Sequence, residues 1–377
     1  MSSYAYSKLP QADGASAPLP SPSPSSKPKS NRIWHLAGGA VLLLGLMCFR
    51  GPIMDGVRSM CSSGRLQAHP EYRPVGDEPS PPKYYTLNNG EKIPTVALGV
   101  WQASPGEVGA AIKSALEAGY KHIDGAWIYR NEAEVGEALK ESGVDRSSLW
   151  ITSKLWNTFH APEDVEEALD DTLSKLQTEY LDLYLMHWPI AFKKGTTDVD
   201  WDLTEDPLPT WQALEEMVLK GKIKNIGVSN FNIRRIQNLT ANALRIKPVI
   251  NQVELNFFNP QPELVAWASE NDILLEAYSP LGSTGQVGRS LGQKDVVEVA
   301  KELGVTPAQV IISWHVQRGT VVLPKSVHKE RIEENLDIIT LPKAAFDAIE
   351  KAATSHPPER VINPSKAWKL GFDLFDD

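Results

Sequence analysis

The stretch GYKHIDGAWIYRNEAEVG, residues 119–136, brings Asp124, Tyr129 and Arg130 together just after the short apolar run His122-Ile123-Asp124. Two later apolar runs also deliver ionisable groups near their ends: WITSKL from 150 carries Lys154, and LDLYLMH from 181 closes on His187. Each residue alone has a plain explanation: Asp124 as a helix cap, Tyr129 as a packing ring, Lys154 on the surface and His187 satisfied in a core. Together they compose a tuned acid. A phenol has an ordinary pKa of about 10, and a nearby ammonium favours its anion. Asp124 paired to Lys154 would hold that ammonium, and His187 can donate a hydrogen bond to a carbonyl oxygen. A phenol giving a proton to a developing alkoxide is the chemistry of carbonyl reduction, with hydride arriving from a cofactor.

Such a set works only if the chain places it at one mouth. From Tyr84 onward, short apolar runs alternate with amphipathic stretches. YYTL and KIP around Asn88-Asn89-Gly90 predict a small hairpin with an Asn-Gly turn. Eight buried-type strands follow: VALGV from 96, HIDGA from 122, WITSKL, LDLYLMH, NIGVSN from 225, VINQVEL from 249, ILLEAYSP from 273 and VVLPKS from 321. Helix starts are signalled between them by Pro105-Gly106-Glu107, Pro162-Glu163-Asp164, Asn232 before IRRIQNL, and Pro260-Gln261-Pro262-Glu263. Eight such units predict a (β/α)8 TIM barrel, α/β in class, and no GxGxxG follows the first strand to suggest an open dinucleotide-binding sheet. In such barrels the strands' carboxyl ends form the active site, where Asp124, Lys154 and His187 would converge.

The chain before the barrel differs in kind. Residues 1–32 are rich in Ser and Pro and predict a disordered tail. Residues 33–49, IWHLAGGAVLLLGLMCF, are seventeen residues without a formal charge and predict one apolar helix, at the lower limit for a transmembrane span. Residues 50–83 read as a stiff polar linker and 84–377 as the barrel. The net charge is −9; the first eighty residues hold eight Lys/Arg against five Asp/Glu, or +3, which leaves −12 for the remainder. An acidic barrel argues against nucleic acid as partner. Both cysteines, Cys48 and Cys61, precede the barrel, so it contains neither a disulfide nor a cysteine metal site. The expected location is a single-pass membrane protein with a monomeric barrel, cytosolic rather than luminal, although Lys27, Lys29 and Arg32 on one flank balance Arg50, Arg58 and Arg65 on the other. The alternative is a cytoplasmic protein.

The motifs GYKHIDGAWIYRNEAEVG, ITSKLW, LMHWP, GVSNFN, NQVELN, AYSPLGS and LPKSVHKERIEENL, in this order, closely resemble the aldo-keto reductase family over roughly residues 84 to 375. The resemblance implies a catalytic tetrad of Asp124, Tyr129, Lys154 and His187, with Tyr129 as general acid. It implies NADPH/NADP+ as cofactor and no metal. Ser229, Asn230 and Gln252 would contact the nicotinamide carboxamide, and Tyr278 would stack on the ring. Ser279, Leu281 and Ser283 lie in the loop after the seventh strand. Lys325, Ser326 and Arg331 match the family's 2′-phosphate contacts, and Glu334 and Asn335 its adenine contacts. His328 stands where many members carry threonine or asparagine, and Gly125 where many carry another small residue. Trp101, Trp156 and Trp188, with Trp127, Trp368 and Phe372 nearby in the pattern, suggest an aromatic wall around a small carbonyl or alcohol substrate. The same residues serve reduction or alcohol oxidation. A different function class, a cofactor-binding regulatory subunit that senses redox state at a membrane, is the alternative.

Overall fold

The computed structural model describes residues 81–283 and 285–375; the expectations placed on the tail 1–32, the apolar segment 33–49 and the linker up to residue 80 fall outside the described residues. Among the described residues no helix is long and apolar enough to cross a membrane.

Among the described residues twelve strands occur in chain order: β1 (Tyr84–Thr86), β2 (Lys92–Pro94), β3 (Leu98–Gly99), β4 (His122–Asp124), β5 (Trp150–Leu155), β6 (Leu181–Met186), β7 (Ala191–Phe192), β8 (Val199–Asp200), β9 (Ile223–Ser229), β10 (Ile250–Glu254), β11 (Leu274–Tyr278) and β12 (Val321–Leu323). Eight of them form one parallel sheet in the order β12-β11-β10-β9-β6-β5-β4-β3. Its edges meet through a parallel bridge between Val96 and Val322, with Ala97 N–H donating to Val322 O at 2.9 Å and Gly99 N–H to Pro324 O at 3.0 Å. This is a nearly closed (β/α)8 barrel. Each of the eight expected strands lies where the sequence put it, although the first is reduced to two residues. The antiparallel β7–β8 pair was not expected.

The expected hairpin is β1–β2, with Gly90 at φ 89° in its turn. Its Leu87 and Ile93 pack with Trp150, Leu183, Leu185 and Ile250, and Asn88 Nδ2 donates to the carbonyls of Pro248 and Asp272. Trp150 and Ile250 begin β5 and β10, and Pro248 and Asp272 precede β10 and β11, so the hairpin closes the amino ends of the strands. The carboxyl ends remain as the mouth.

Helices begin where the signals lie. The Asn232 side chain accepts from Arg235 N–H at 2.9 Å and caps the helix Ile233–Thr240, so Ser229 and Asn230 are free of that duty. Close backbone approach explains two glycines. A Cβ on Gly136 would lie 2.3 Å from Lys175 O, where the helix Glu132–Ser142 crosses Pro162–Leu176, and one on Gly227 in β9 would lie 2.7 Å from Ile250 O.

Candidate active site

β4, β5 and β6 are register neighbours, and that pairing brings the first three ionisable groups together. Asp124 ends β4, Lys154 sits in β5 and His187 follows β6. Lys154 has no exposed surface, a state an ammonium tolerates only when paired. Its Nζ donates to Asp124 Oδ1 and Oδ2, both at 2.9 Å, and to Gly125 O at 2.7 Å, which satisfies all three hydrogens. Removing one partner of such a buried pair costs about 3–5 kcal/mol.

Tyr129 reaches the same point by a tight turn. The chain leaves β4 through Gly125, makes a 3-10 turn at Trp127–Tyr129 and exits through Arg130 at φ 60°. That turn is fixed from outside: Trp127 Nε1 donates to Asp171 Oδ2 at 2.6 Å, and the Arg130 guanidinium lies 3.7 Å from the Trp127 ring centroid. The Tyr129 ring sits 5.3 Å from Lys154 Nζ and edge-on to His187, with ring centroids 5.9 Å apart. The four residues expected to act together therefore meet at one place. A Cβ on Gly125 would meet nothing closer than 3.7 Å, so glycine there is not required by packing.

One electrostatic expectation is corrected. Lys154 does not draw the phenol toward its anion. The desolvating surroundings of Tyr129, reinforced by the Asp124 charge, hold the phenol well above its ordinary value and so protonated. The ammonium is already neutralised by Asp124. His187 is held far below the usual histidine range by burial, then by the Lys154 charge and by His160, so its imidazole is neutral. The arrangement is a protonated phenol beside a neutral imidazole, a pair suited to donating hydrogen bonds to one oxygen.

The nicotinamide candidates form a chain of hydrogen bonds that runs into this centre. Tyr278 OH donates to Asn230 Oδ1 at 2.8 Å, and Asn230 Nδ2 donates to Ser229 Oγ at 3.1 Å and to His187 O at 2.9 Å. Ser229 Oγ donates to Gln252 O at 2.8 Å, and Gln252 Nε2 donates to Asp124 Oδ1 at 2.8 Å. Asn230 adopts φ 65° to make these contacts. The pairing of Tyr278 with Leu323 across β11 and β12 sets the two candidate phosphate loops side by side. Ser279 (φ 50°), Leu281 and buried Ser283 belong to the first. In the second, Ser326 Oγ accepts from His328 N–H at 3.1 Å ahead of the helix Lys329–Leu336. Lys325 and Arg331 are exposed, Glu334 is half-buried and Asn335 is buried. Two exposed cations beside a loop with backbone at positive φ fit a phosphate-bearing nucleotide.

Trp156 and Trp188 belong to a cluster with Ile190, Phe192, Trp368, Leu370 and Leu374, in which Trp368 stands edge-on to both tryptophans at 6.2 and 5.1 Å. Trp156 also meets His187 edge-on at 5.4 Å, so this wall adjoins the polar centre. Trp101 is half-buried and outside that cluster. Trp127 and Phe372 pack at its margin. Among the described residues no group of three or more His, Cys, Asp or Glu is placed to hold a metal ion.

Two acids of the barrel strands were not anticipated. Glu276 in β11 has no exposed surface and accepts Gln252 Nε2 at 2.8 Å. Glu254, which ends β10, accepts from the backbone N–H groups of Val361 and Ile362 and ties down the C-terminal segment. The available signal was a lone acid inside a buried-type run, ILLEAY or VINQVEL.

The chain matches the family model described as "Aldo/keto reductase family" over residues 95–354. It is 41% identical over 313 residues to a protein of Saccharomyces cerevisiae named glycerol 2-dehydrogenase (NADP(+)), covering 78% of this chain and 97% of that protein. It is 45% identical over 271 residues to aldo-keto reductase family 1 member A1 of Mus musculus, covering 67% and 83%. Among solved structures, that of the aldose reductase from Schistosoma japonicum superposes with a TM-score of 0.69 at 40% identity, covering 78% of this chain and 96% of that one.

Proposed function

The chain belongs to the aldo/keto reductase family and is an NADP-dependent oxidoreductase of it, and from that premise we propose that it reduces an aldehyde or ketone at the Asp124, Tyr129, Lys154 and His187 centre. Bound NADPH supplies the hydride. The observation that carries the reading is the convergence of a protonated Tyr129 phenol and a neutral His187 imidazole over the buried Lys154–Asp124 pair. His187 orients the substrate oxygen, and Tyr129 gives that oxygen its proton as charge develops. Lys154, held by Asp124 and the Gly125 carbonyl, lies 5.3 Å from the Tyr129 ring and fixes the floor of the site, and the aromatic wall excludes water. Run backward, the same groups oxidise an alcohol, as the name of the yeast relative suggests for a secondary alcohol.

Tyr129→Phe should lower turnover of a simple aldehyde by at least about 100-fold, the usual worth of a positioned proton donor, while NADPH binding stays within about twofold. Near-normal turnover in that variant would remove Tyr129 from the role. An unaltered protein that binds NADPH yet turns over no carbonyl would favour the regulatory alternative instead.

Lys325 and Arg331 are proposed to pair with the 2′-phosphate that NADH lacks. NADPH should therefore bind at least about tenfold tighter than NADH, since one charge-assisted hydrogen bond is worth about 1.5–3 kcal/mol. Arg331→Ala should erode that ratio, and equal dissociation constants in the unaltered protein would refute the assignment.

A further inference from the structure

Glu276 is a buried carboxyl that the reaction above does not use. It is the register neighbour of Gln252 on β10, so both side chains enter the barrel interior together. Its Oε2 accepts one Gln252 Nε2 hydrogen at 2.8 Å. Its Oε1 has no hydrogen-bond partner and lies 3.9 Å from His122 Nε2, which bonds instead to Thr152 Oγ1 at 3.0 Å. The carboxyl is thus anchored through Gln252 alone, a poor arrangement for a purely structural acid.

From the side of Gln252 the geometry is complete. The amide nitrogen has two hydrogens; one goes to Asp124 Oδ1 and the other to Glu276 Oε2, each at 2.8 Å. Nothing remains for Nε2 to donate, and the nitrogen cannot turn outward without abandoning both acceptors. The amide oxygen faces away from them as an acceptor. Burial, and then the Asp124 charge, raises the Glu276 carboxyl to about 8, so near neutrality it carries a proton and shares the amide with Asp124 without like-charge repulsion.

We propose that Glu276 is a positioning residue of this enzyme: with Asp124 it locks the orientation of the Gln252 amide, so that Gln252 offers only an acceptor oxygen and selects the N–H2 side of the cofactor's carboxamide. The inference rests on the nicotinamide reading of Gln252 above. Without Glu276 one amide hydrogen loses its acceptor inside the barrel, and the amide is free to turn its nitrogen outward.

The test compares the binding of NADP+ with that of its 3-acetylpyridine analogue, which carries a methyl ketone in place of the carboxamide and has no N–H to give. Protein fluorescence reports the dissociation constants without turnover. The unaltered protein should prefer NADP+ by about fivefold, the worth of one neutral hydrogen bond. Glu276→Leu, and the smaller Glu276→Val should the first not fold, should bring that ratio close to one while leaving the analogue's affinity within twofold. Glu276→Gln should keep the preference, because its amide oxygen still accepts from Gln252. A loss of affinity equal for both nucleotides, as from a general disturbance of the barrel, would overturn the proposal. So would an undiminished preference in Glu276→Leu or Glu276→Val, a Gln variant as damaged as the apolar one, or no preference in the unaltered protein. Failure of the unaltered protein to bind either nucleotide would instead refute the cofactor reading itself.

Discussion

Lys154 and Glu276 show two ways a barrel interior keeps an ionisable group. Lys154 gives each of its three hydrogens to an acceptor, whereas Glu276 gives up its charge because burial and Asp124 both oppose ionisation. The second case makes a testable link to stability. A carboxyl that titrates near its ordinary value of 4.5 when unfolded and at about 8 when folded leaves the native state holding a proton that the unfolded chain has released. The unfolded state binds fewer protons across that window, so this group lowers stability as pH rises through it, by about 1.4 kcal/mol per pH unit. Glu276→Gln removes the penalty. Its melting temperature relative to the unaltered protein should climb from pH 5 to pH 8 and level off above, and a constant difference would show that Glu276 is ionised in the folded state. Buried His122, His160 and His315, all lowered to about 3 by burial, act oppositely, weakening the fold as pH drops below the ordinary histidine value. His160 and His315 are common to both proteins and cancel in the comparison, while His122, 3.9 Å from Glu276 Oε1, stays neutral across pH 5 to 8. Asp124, Lys154 and His187 were legible because each lies near the end of an apolar run, where a barrel must present it. Glu276 was not, since an acid within such a run looks the same whether it faces a neighbour, a cofactor or a helix. Tyr129 was legible as to place but not as to charge, because the sequence shows an ammonium nearby without showing that Asp124 has already neutralised it.

At the scale of elements, the strands could be read because parallel strands covered by helices are apolar on both faces, and the helices because Asn232 and the Pro-led starts are local signals. β7 and β8 could not: AFKKGTTDVD is polar after the buried Ala191 and Phe192, and its pairing depends on a local turn, where Lys193 N–H donates to Asp198 O at 2.9 Å. The C-terminal segment likewise has no regular pattern after the helix Lys343–Thr354, and its position depends on distant partners. Glu254, with no exposed surface, receives the N–H groups of Val361 at 2.9 and 3.1 Å and of Ile362 at 2.7 Å. Arg289, in the helix after the β11 loop, holds Glu359 with two bonds of 2.5 and 2.8 Å. The segment so fixed carries Trp368, Leu370 and Leu374 into the wall beside Trp156 and Trp188. Glu254→Leu should release it. The KM for a bulky aromatic aldehyde should then rise severalfold and the C-terminus become protease-sensitive, with the NADPH dissociation constant within about twofold of normal, because no nicotinamide contact comes from Glu254. An unchanged KM with a protected C-terminus would mean that the aromatic contacts alone hold the segment.

At the scale of the whole molecule, the barrel's function and the chain's location are separable questions. Every group proposed to bind, react or wall the substrate lies between Trp101 and Leu374, and residues 81–377 carry a charge of −12, while the apolar run 33–49 and both cysteines precede them. We propose that this run anchors the protein in a membrane with the barrel on the cytosolic side, since a cysteine-free domain using NADPH fits a reducing compartment. The full chain should then pellet with membranes and resist carbonate extraction, whereas a chain beginning near Pro82 should be soluble and reduce aldehydes at a comparable rate. Full-length protein wholly in the soluble fraction would defeat the anchor. Orientation has its own reporter, because Asn238-Leu239-Thr240 is the one N-glycosylation sequon in the sequence. Asn238 is exposed on the helix Ile233–Thr240, with its Nδ2 donating to Glu205 O at 3.0 Å. An oligosaccharyltransferase acting before the barrel folds would find that amide free, so a luminal barrel should carry sugar there. The full chain expressed in a eukaryotic cell should show no endoglycosidase-sensitive mass shift, and Asn238→Gln should not change its mobility on a gel. A shift abolished by Asn238→Gln would put the barrel on the luminal side and reverse the placement.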